Sequence, residues 1–391
     1  METNTSMSSM GQESAVRERY TRSAREREES LCCPVVYDAR YLAAIPQEVR
    51  ERDYGCGDPS RFVGPGDTVL DLGSGGGKIC FIASQIVGPE GRVIGVDANE
   101  EMLSLARQSA PAVAERVGHA NTIFHRGRIQ DLRLDLDRLE TWLREHPVRS
   151  AGDLAALEDA ADRLRREHPL IPDVSVDVVV SNCVLNLVPE EDKSQLIREI
   201  FRVLKPGGRI AISDIVSDED VPEDLKADPD LWSACVSGAF QEGKLLRELE
   251  RAGFYGIALD TWTEEPYRTV RGIEFRSVTV TARKGKEGPC FESNQAVIYR
   301  GPWKRVEDDD GHVLLRGERT AVCAKTFRLL TAEPYAGQIV PIEPRVPVLE
   351  AERAPFDCSR TTPRHPRETK GQAYTVTSEG SSSACGSNGC C

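Results

Sequence analysis

Residues 68–87, TVLDLGSGGGKICFIASQIV, pass from a short apolar run through a glycine-rich turn into a stretch with helical spacing. That order reads as a buried strand, a tight turn and the opening of a helix. Glycines are needed in such a turn because the backbone must bend sharply and approach a ligand where a Cβ would collide. The turn is not a P-loop, which needs GxxxxGK followed by Ser or Thr, so nucleoside triphosphate hydrolysis is not expected. It also departs from GxGxxG, although an acidic residue, Asp71, stands before the glycines. Downstream, RVIGVD (92–97), TIFHRG (122–127), VDVVVSN (176–182) and GRIAISDI (208–215) repeat the strand type, separated by helical or loop sequence. Such alternation predicts a doubly wound α/β sheet. Asp97 ends the second strand, where a carboxylate can accept both ribose hydroxyl protons, and this points to an adenosine-containing ligand.

The flanking sequence divides the chain further. Residues 1–30 are polar, interleave Arg and Glu, and read as a flexible or partly helical arm with no chemistry assigned. Between the third and fourth strands, Leu134 to Pro172 carries Leu and Ala at helical intervals, predicting one or two amphipathic surface helices. Residues 218–240 interrupt the alternation after the fifth strand, and excursions beside a sheet's carboxyl edge often cover a ligand. Tyr255–Trp262 and Phe275–Arg283 read as a closing antiparallel pair. Residues 286–345 show short alternating runs punctuated by Gly and Asp, predicting a small β-rich domain. Residues 346–391, rich in Ser, Thr, Pro and Gly and ending SSSACGSNGCC, read as a disordered tail. The sheet domain itself spans 31–217, with 218–285 as its covering segment and closing strands.

Composition narrows the function classes. The chain has 391 residues and a formal net charge of −13, which disfavours a phosphate backbone as main partner. It has no apolar run of about eighteen residues and no signal-peptide pattern, so a soluble cytoplasmic protein is expected. Twelve cysteines in such a chain invite a metal or redox reading, because reducing compartments do not keep structural disulfides. The six histidines are scattered and no paired CxxC knuckles occur, so an ordinary zinc finger is poorly supported. Thiols without imidazoles suggest a soft ion.

Cys32 or Cys33, Cys56 in YGCG, Cys183 in SNCVLNL and Cys235 in SACVSGA fall where the strand order puts loops near the ligand crevice. Cys183 follows the fourth strand directly, at the edge where such folds hold ligands. Taken singly, each also fits a small buried hydrophobe. Cys80, inside the first helix, reads as packing, and Cys290 and Cys323 as ordinary core or loop thiols. Asn182 and Asn186 read either as strand-end turn residues or as ligand contacts. Met102 and Trp142 read first as packing residues.

Asp71, the glycine turn and Asp97 together resemble the class I S-adenosylmethionine-dependent methyltransferases over residues 69–214. YGCG, DLGSGGG, SNCVLNLVPEEDK and CVSGA, in this order, resemble the arsenite methyltransferases, and QAVIYRGPW, DDDGH and GERTAVC resemble their C-terminal domain. The match covers roughly residues 30–345. It implies a class I methyltransferase-type doubly wound sheet with an arsenic-binding insertion and a small β-rich C-terminal domain. By this resemblance the cofactor S-adenosyl-L-methionine is held by Asp71, Gly73, Ser74, Gly75, Gly77, Asp97, Ala98, Met102, Ile129, Gln130, Asn182 and Val184. It makes Cys56, Cys183 and Cys235 the arsenic-binding thiols, with Cys183 and Cys235 the core pair and Cys33 a redox partner of Cys56. The adjacent Cys32 and Cys33 leave open which one matches the family's single N-terminal cysteine.

The implied chemistry suits these residues. Trivalent arsenic binds thiolates strongly, and three sulfurs leave its lone pair free to attack carbon. No general base is demanded, and none of the Ser-His-Asp type is evident. Arsenite or its thiol conjugates are then the substrate, thioredoxin or glutathione the expected reductant, and a monomer the expected state. Cys385, Cys390 and Cys391 on the tail are candidates for arsenic capture or thiol exchange. Two other readings compete: a methyltransferase for an organic ring, which predicts activity without Cys183, and a thiol-based arsenic-binding module, which leaves Asp71, the glycines and Asp97 without a purpose.

Overall fold

The computed structural model describes residues 9–28, 35–359 and 361–371. The chain divides into two compact units, residues 1–285 and 286–391. In the first, strands β1 (Thr68–Leu72), β2 (Arg92–Asp97), β3 (Thr122–Arg126), β4 (Val176–Asn182) and β5 (Leu204–Ser217) pair in parallel in the order β3-β2-β1-β4-β5. A two-residue strand, β6 (Phe240–Gln241), extends β5 in parallel. β7 (Tyr255–Trp262), β8 (Arg268–Val270) and β9 (Ile273–Arg283) close the sheet, with β9 antiparallel to β5, β7 and β8.

Side chains of successive residues leave a strand on opposite faces, and this alternation builds two cores. Val69 of β1 and Val178 and Val180 of β4 pack with Phe81 and Leu103 from the helices Lys78–Val87 and Glu100–Val117. Leu70, Leu72 and Val179 face the other way, against Leu196 and Ile200 of Lys193–Val203 and Leu249 of Glu242–Ala252. Burial on both faces explains why β4 is a run of valines rather than a polar–apolar alternation. The strand order reverses between β2-β1 and β4, and a crevice opens beyond the carboxyl ends of β1 and β4. The insertion forms two helices, Leu136–Glu145 and Ala151–Glu167, which bury only Ala160 and Ala161.

The N-terminal segment does more than its polar sequence promises. Ser9–Ser23 is a helix that meets the short helix Pro229–Ser233, with Arg19 donating to the Asp230 carbonyl at 2.9 Å and to the Ser233 hydroxyl at 3.0 Å. Its docking is largely polar, so no apolar stripe announces it.

In the second unit, β10 (Ala296–Tyr299), β13 (Arg319–Ala321) and β14 (Ile339–Ile342) form one antiparallel sheet, and β11 (Arg305–Glu307) pairs with β12 (Val313–Leu315). The segment read as disordered from residue 346 is instead built into this unit as far as residue 371. Backbone bridges join Phe291 to Pro355 and Thr320 to Pro363. Arg364, 6 % exposed, pairs with Glu292 at 2.8 Å and Glu368 at 2.7 Å. A proline-rich strap held by ion pairs lacks the periodicity by which an ordered element is recognised in sequence. The tail cysteines Cys385, Cys390 and Cys391 lie outside the described residues.

Arg364→Ala removes the buried guanidinium that ties the partly exposed Glu292 and Glu368 together, and the second unit should lose about 1–2 kcal/mol of stability. A urea midpoint unchanged by this substitution would show that the strap is not part of the folded unit.

Candidate active site at the carboxyl edge of the sheet

After β1 the chain turns through Gly73 (φ 67°), Gly75 (φ 51°) and Gly77 (φ 90°), a left-handed path that favours glycine. At Gly73 a Cβ would also collide with the Val184 side chain. Asp97 fastens this turn from the end of β2: one carboxylate oxygen accepts the Gly75 N–H at 2.9 Å and the other the Asn99 N–H at 2.8 Å. The turn borders a cavity of about 420 Å³. Of the residues expected at the cofactor, Asp71, Gly73, Ser74, Gly75, Asp97 and Ala98 line it, as do Met102, Ile129, Gln130, Asn182 and Val184. Gly77 does not line it and serves as N-cap of the helix Lys78–Val87.

Burial pushes the Asp71 carboxyl up to about 7, with the Cys80 thiol, which donates to it at 3.2 Å, pulling the other way. Burial also raises Asp97, opposed by backbone N–H groups of Asn99, Gly75 and Ala98. Ser74 Oγ is buried and has no hydrogen-bond partner among the described residues. A buried orphan hydroxyl on the cavity wall fits a polar ligand that supplies the partner.

The thiol side is built by Asn182 at the end of β4. Its carbonyl oxygen accepts the N–H groups of Cys56 at 2.8 Å and Gly57 at 3.1 Å, and its amide nitrogen donates to the Gly57 carbonyl at 2.8 Å. The YGCG loop therefore lies flat on the strand end. A Cβ at Gly55 would strike the Asn182 amide, and one at Gly57 would come to 2.5 Å of Ser213 Oγ. Cys56 is thereby brought to Cys183, to which it is joined as a disulfide with Cα atoms 5.9 Å apart. Cys235 packs into the same apolar cluster and donates its thiol to the Cys183 carbonyl at 3.1 Å. Cys183 lines the cavity, whereas Cys56 and Cys235 sit behind it. The resemblance assigned Cys56 to Cys33, but Cys32 and Cys33 lie outside the described residues.

Cys183 (φ 58°) and Cys235 (φ 59°) both hold left-handed backbone, a conformation strained for side chains other than glycine and concentrated at functional sites. Asp214 of β5 holds this geometry in place. One of its oxygens accepts the Val184 and Leu185 N–H groups at 3.1 and 2.9 Å, and the other accepts the Asn186 amide at 2.9 Å. Asn186 continues to the Ile215 and Cys235 carbonyls at 2.6 and 3.3 Å, linking both cysteine loops to one carboxylate. Burial pushes Asp214 up to about 6 against the pull of these backbone donors.

Sequence reasoning assigned Asp214 no role, although a lone acid inside the apolar run AISDIV is the signal that marks it. It also gave the partly helical N-terminal arm no place at the site: Glu13, Val16, Arg17 and Tyr20 line the cavity, and the Tyr20 hydroxyl lies 3.8 Å from Cys235 Sγ.

The strand order, the glycine turn and the carboxylate at the end of β2 define a class I methyltransferase. A family described as a methyltransferase domain matches residues 64–168 and 166–253, and a domain of unknown function (DUF8838) matches 286–374. The arsenite methyltransferase of Aquipseudomonas alcaligenes is 34 % identical over 75 % of this chain and 78 % of its own length. That of Homo sapiens is 30 % identical over 78 % and 76 %. The crystal structure of CrArsM, an arsenic(III) S-adenosylmethionine methyltransferase from Chlamydomonas reinhardtii, superposes with a TM-score of 0.54 at 27 % identity, covering 81 % of this chain and 98 % of that one. The chain belongs to the arsenite methyltransferase family.

Asp214→Asn replaces an acceptor-only group by an amide that must turn a donor toward N–H groups. It is expected to cost about 2–3 kcal/mol in urea unfolding, and a midpoint equal to wild type would remove Asp214 from its organising role.

Proposed function

We propose that this protein transfers the methyl group of S-adenosylmethionine to trivalent arsenic held on Cys56, Cys183 and Cys235, as a step in arsenic detoxification or volatilisation. The observation that carries the reading is that these three cysteines share one apolar cluster, with Cys183 on the wall of the cavity that the glycine turn also lines. Residues 218–285 then act as the arsenic-binding segment, through Cys235.

The cavity suits the cofactor. Gly73 and Gly75 would admit it closely, Ser74 offers an unpartnered hydroxyl, and Asp97 would hold the ribose and Ile129 and Gln130 the adenine, all of them on the cavity wall. When bound, S-adenosylmethionine supplies a methyl group already activated by a sulfonium, so the protein's contribution is alignment. The apolar cluster around the thiols, with Ile215, Val236 and Phe275, excludes water from arsenic.

The disulfide form of Cys56–Cys183 is one end of a cycle. A dithiol such as thioredoxin, or two molecules of glutathione, reduces it to two thiols and leaves as a disulfide. As(OH)3 then exchanges three hydroxides for three thiolates, releasing three waters. Methyl transfer formally oxidises arsenic to the pentavalent state, and two thiolates return two electrons by closing the disulfide again. The neighbouring Cys56 and Cys183, held by Asn182, are geometrically ready for that closure.

The reading is tested by incubating the protein with arsenite, S-adenosylmethionine and a thiol reductant. Methylated arsenic by mass spectrometry is expected from wild type and not from Cys183→Ser. Product from both would remove Cys183 from the arsenic site; none from wild type with cofactor bound would end the arsenic reading in favour of an organic substrate.

Cofactor affinity should also depend on pH. Asp71, raised to about 7 by burial, is neutral below that pH and ionised above it. The cationic cofactor favours the ionised form, so binding should weaken as pH falls through 7, by roughly tenfold per unit well below it. Calorimetric titration at pH 6 and 8 reads this directly; Asp71→Asn should flatten the dependence, and a flat wild-type profile would rule Asp71 out as the titrating contact.

A further inference from the structure

A second set of thiols lies in the unit whose family is of unknown function. Cys290, Cys323 and Cys358 come from three separate stretches of chain, and their sulfurs all lie within 4.8 Å of one another. None is in a disulfide. Their convergence is fixed by the backbone beside them: the Phe356 N–H donates to the Cys290 carbonyl at 2.9 Å, and the Ala324 N–H to the Phe291 carbonyl at 2.9 Å. Cys323 is buried at the N-cap of the helix Ala324–Leu330, its sulfur accepting the Thr326 N–H at 3.3 Å. Cys290 and Cys358 are half-buried, which leaves a path from solvent.

Packing alone does not account for three thiols turned toward one point. A disulfide would use two and strand the third. A soft cation uses all three, and carboxylate-seeking ions such as magnesium or calcium are excluded by an all-sulfur set. The unit also has reason to need a staple, because its strands are three or four residues long and its core centres on Tyr299, Phe327 and Leu330. Small domains of this kind commonly gain stability from a bound metal. His312 lies in the same unit. Asp308 accepts its Nδ1–H at 2.8 Å, while Nε2 is buried with no partner among the described residues. The imidazole is not one of the atoms that converge with the three sulfurs, so the site is built on the thiols alone.

We infer that Cys290, Cys323 and Cys358 form a trithiolate site for one thiophilic cation, apart from the thiols assigned to methyl transfer. Zinc(II) would displace three thiol protons and leave the fourth corner of its tetrahedron to water or another exogenous donor. Trivalent arsenic would form three As–S bonds, with three waters leaving As(OH)3. The zinc case is independent of the methyl-transfer reading; the arsenic case rests on it.

The test uses the full chain. Elemental analysis of protein purified without added metal should give about one zinc per chain, retained in Cys183→Ser and lost in Cys323→Ser and Cys358→Ser. If the protein is zinc-free, arsenite is titrated into the triple variant Cys56→Ser, Cys183→Ser, Cys235→Ser; about one bound equivalent should disappear when Cys358→Ser is added. Either result supports the site and names its occupant. Because a serine substitution could unfold the unit, iodoacetamide mapping of the unaltered chain gives a second readout. Peptides carrying Cys290 and Cys358 should be protected in the loaded protein and label at least tenfold faster after a chelator or a competing dithiol. No zinc, no Cys358-dependent arsenite binding and labelling indifferent to both reagents would overturn the inference.

Discussion

Two polar side chains, the buried Asp214 and the half-buried Asn182, hold the cysteine loops of this protein together. Asn182 binds the loop of Cys56 through both ends of its amide, and Asp214 gathers the N–H groups behind Cys183 and the amide that reaches Cys235. Burying a carboxylate wholly and an amide in part is costly unless lone pairs and protons are matched, and here they are matched largely by backbone groups of the cysteine loops. The same bonds that satisfy these side chains therefore fix the thiols. Left-handed backbone at Cys183 and Cys235 is tolerated because the surrounding hydrogen bonds over-determine it.

The sheet makes this arrangement possible. β1 and β4 are neighbours whose onward connections leave in opposite directions, so the glycine turn and the Asn182–Cys183 turn face each other across a crevice. One side of the cavity is lined by backbone and carboxylates, and the other by sulfur. The N-terminal helix completes the wall, contributing Tyr20 beside Cys235 and Arg17 at the cavity.

The two units use cysteine under different constraints. In the first, the thiols sit at the strand ends, with left-handed backbone at Cys183 and Cys235. In the second, three thiols meet among short strands and a proline-rich strap, where a cross-link would supply the cohesion that a small apolar core does not.

What the sequence by itself determined was local. The run TVLDLGSGGG, the apolar strands and the acid at the end of β2 carry strand, turn and ligand type in neighbouring residues, because glycine conformations and the two-residue period are set by adjacent atoms. YGCG and SNCVLNL marked the thiol loops for the same reason. Tertiary structure alone decided which cysteines meet: Cys56 with Cys183 across 127 residues of separation, and Cys290, Cys323 and Cys358 across three segments. It also decided that a polar N-terminal helix closes the cavity and that the strap through residue 371 is ordered. These are consequences of hydrogen bonds and ion pairs between distant segments, which leave no periodic trace in the chain.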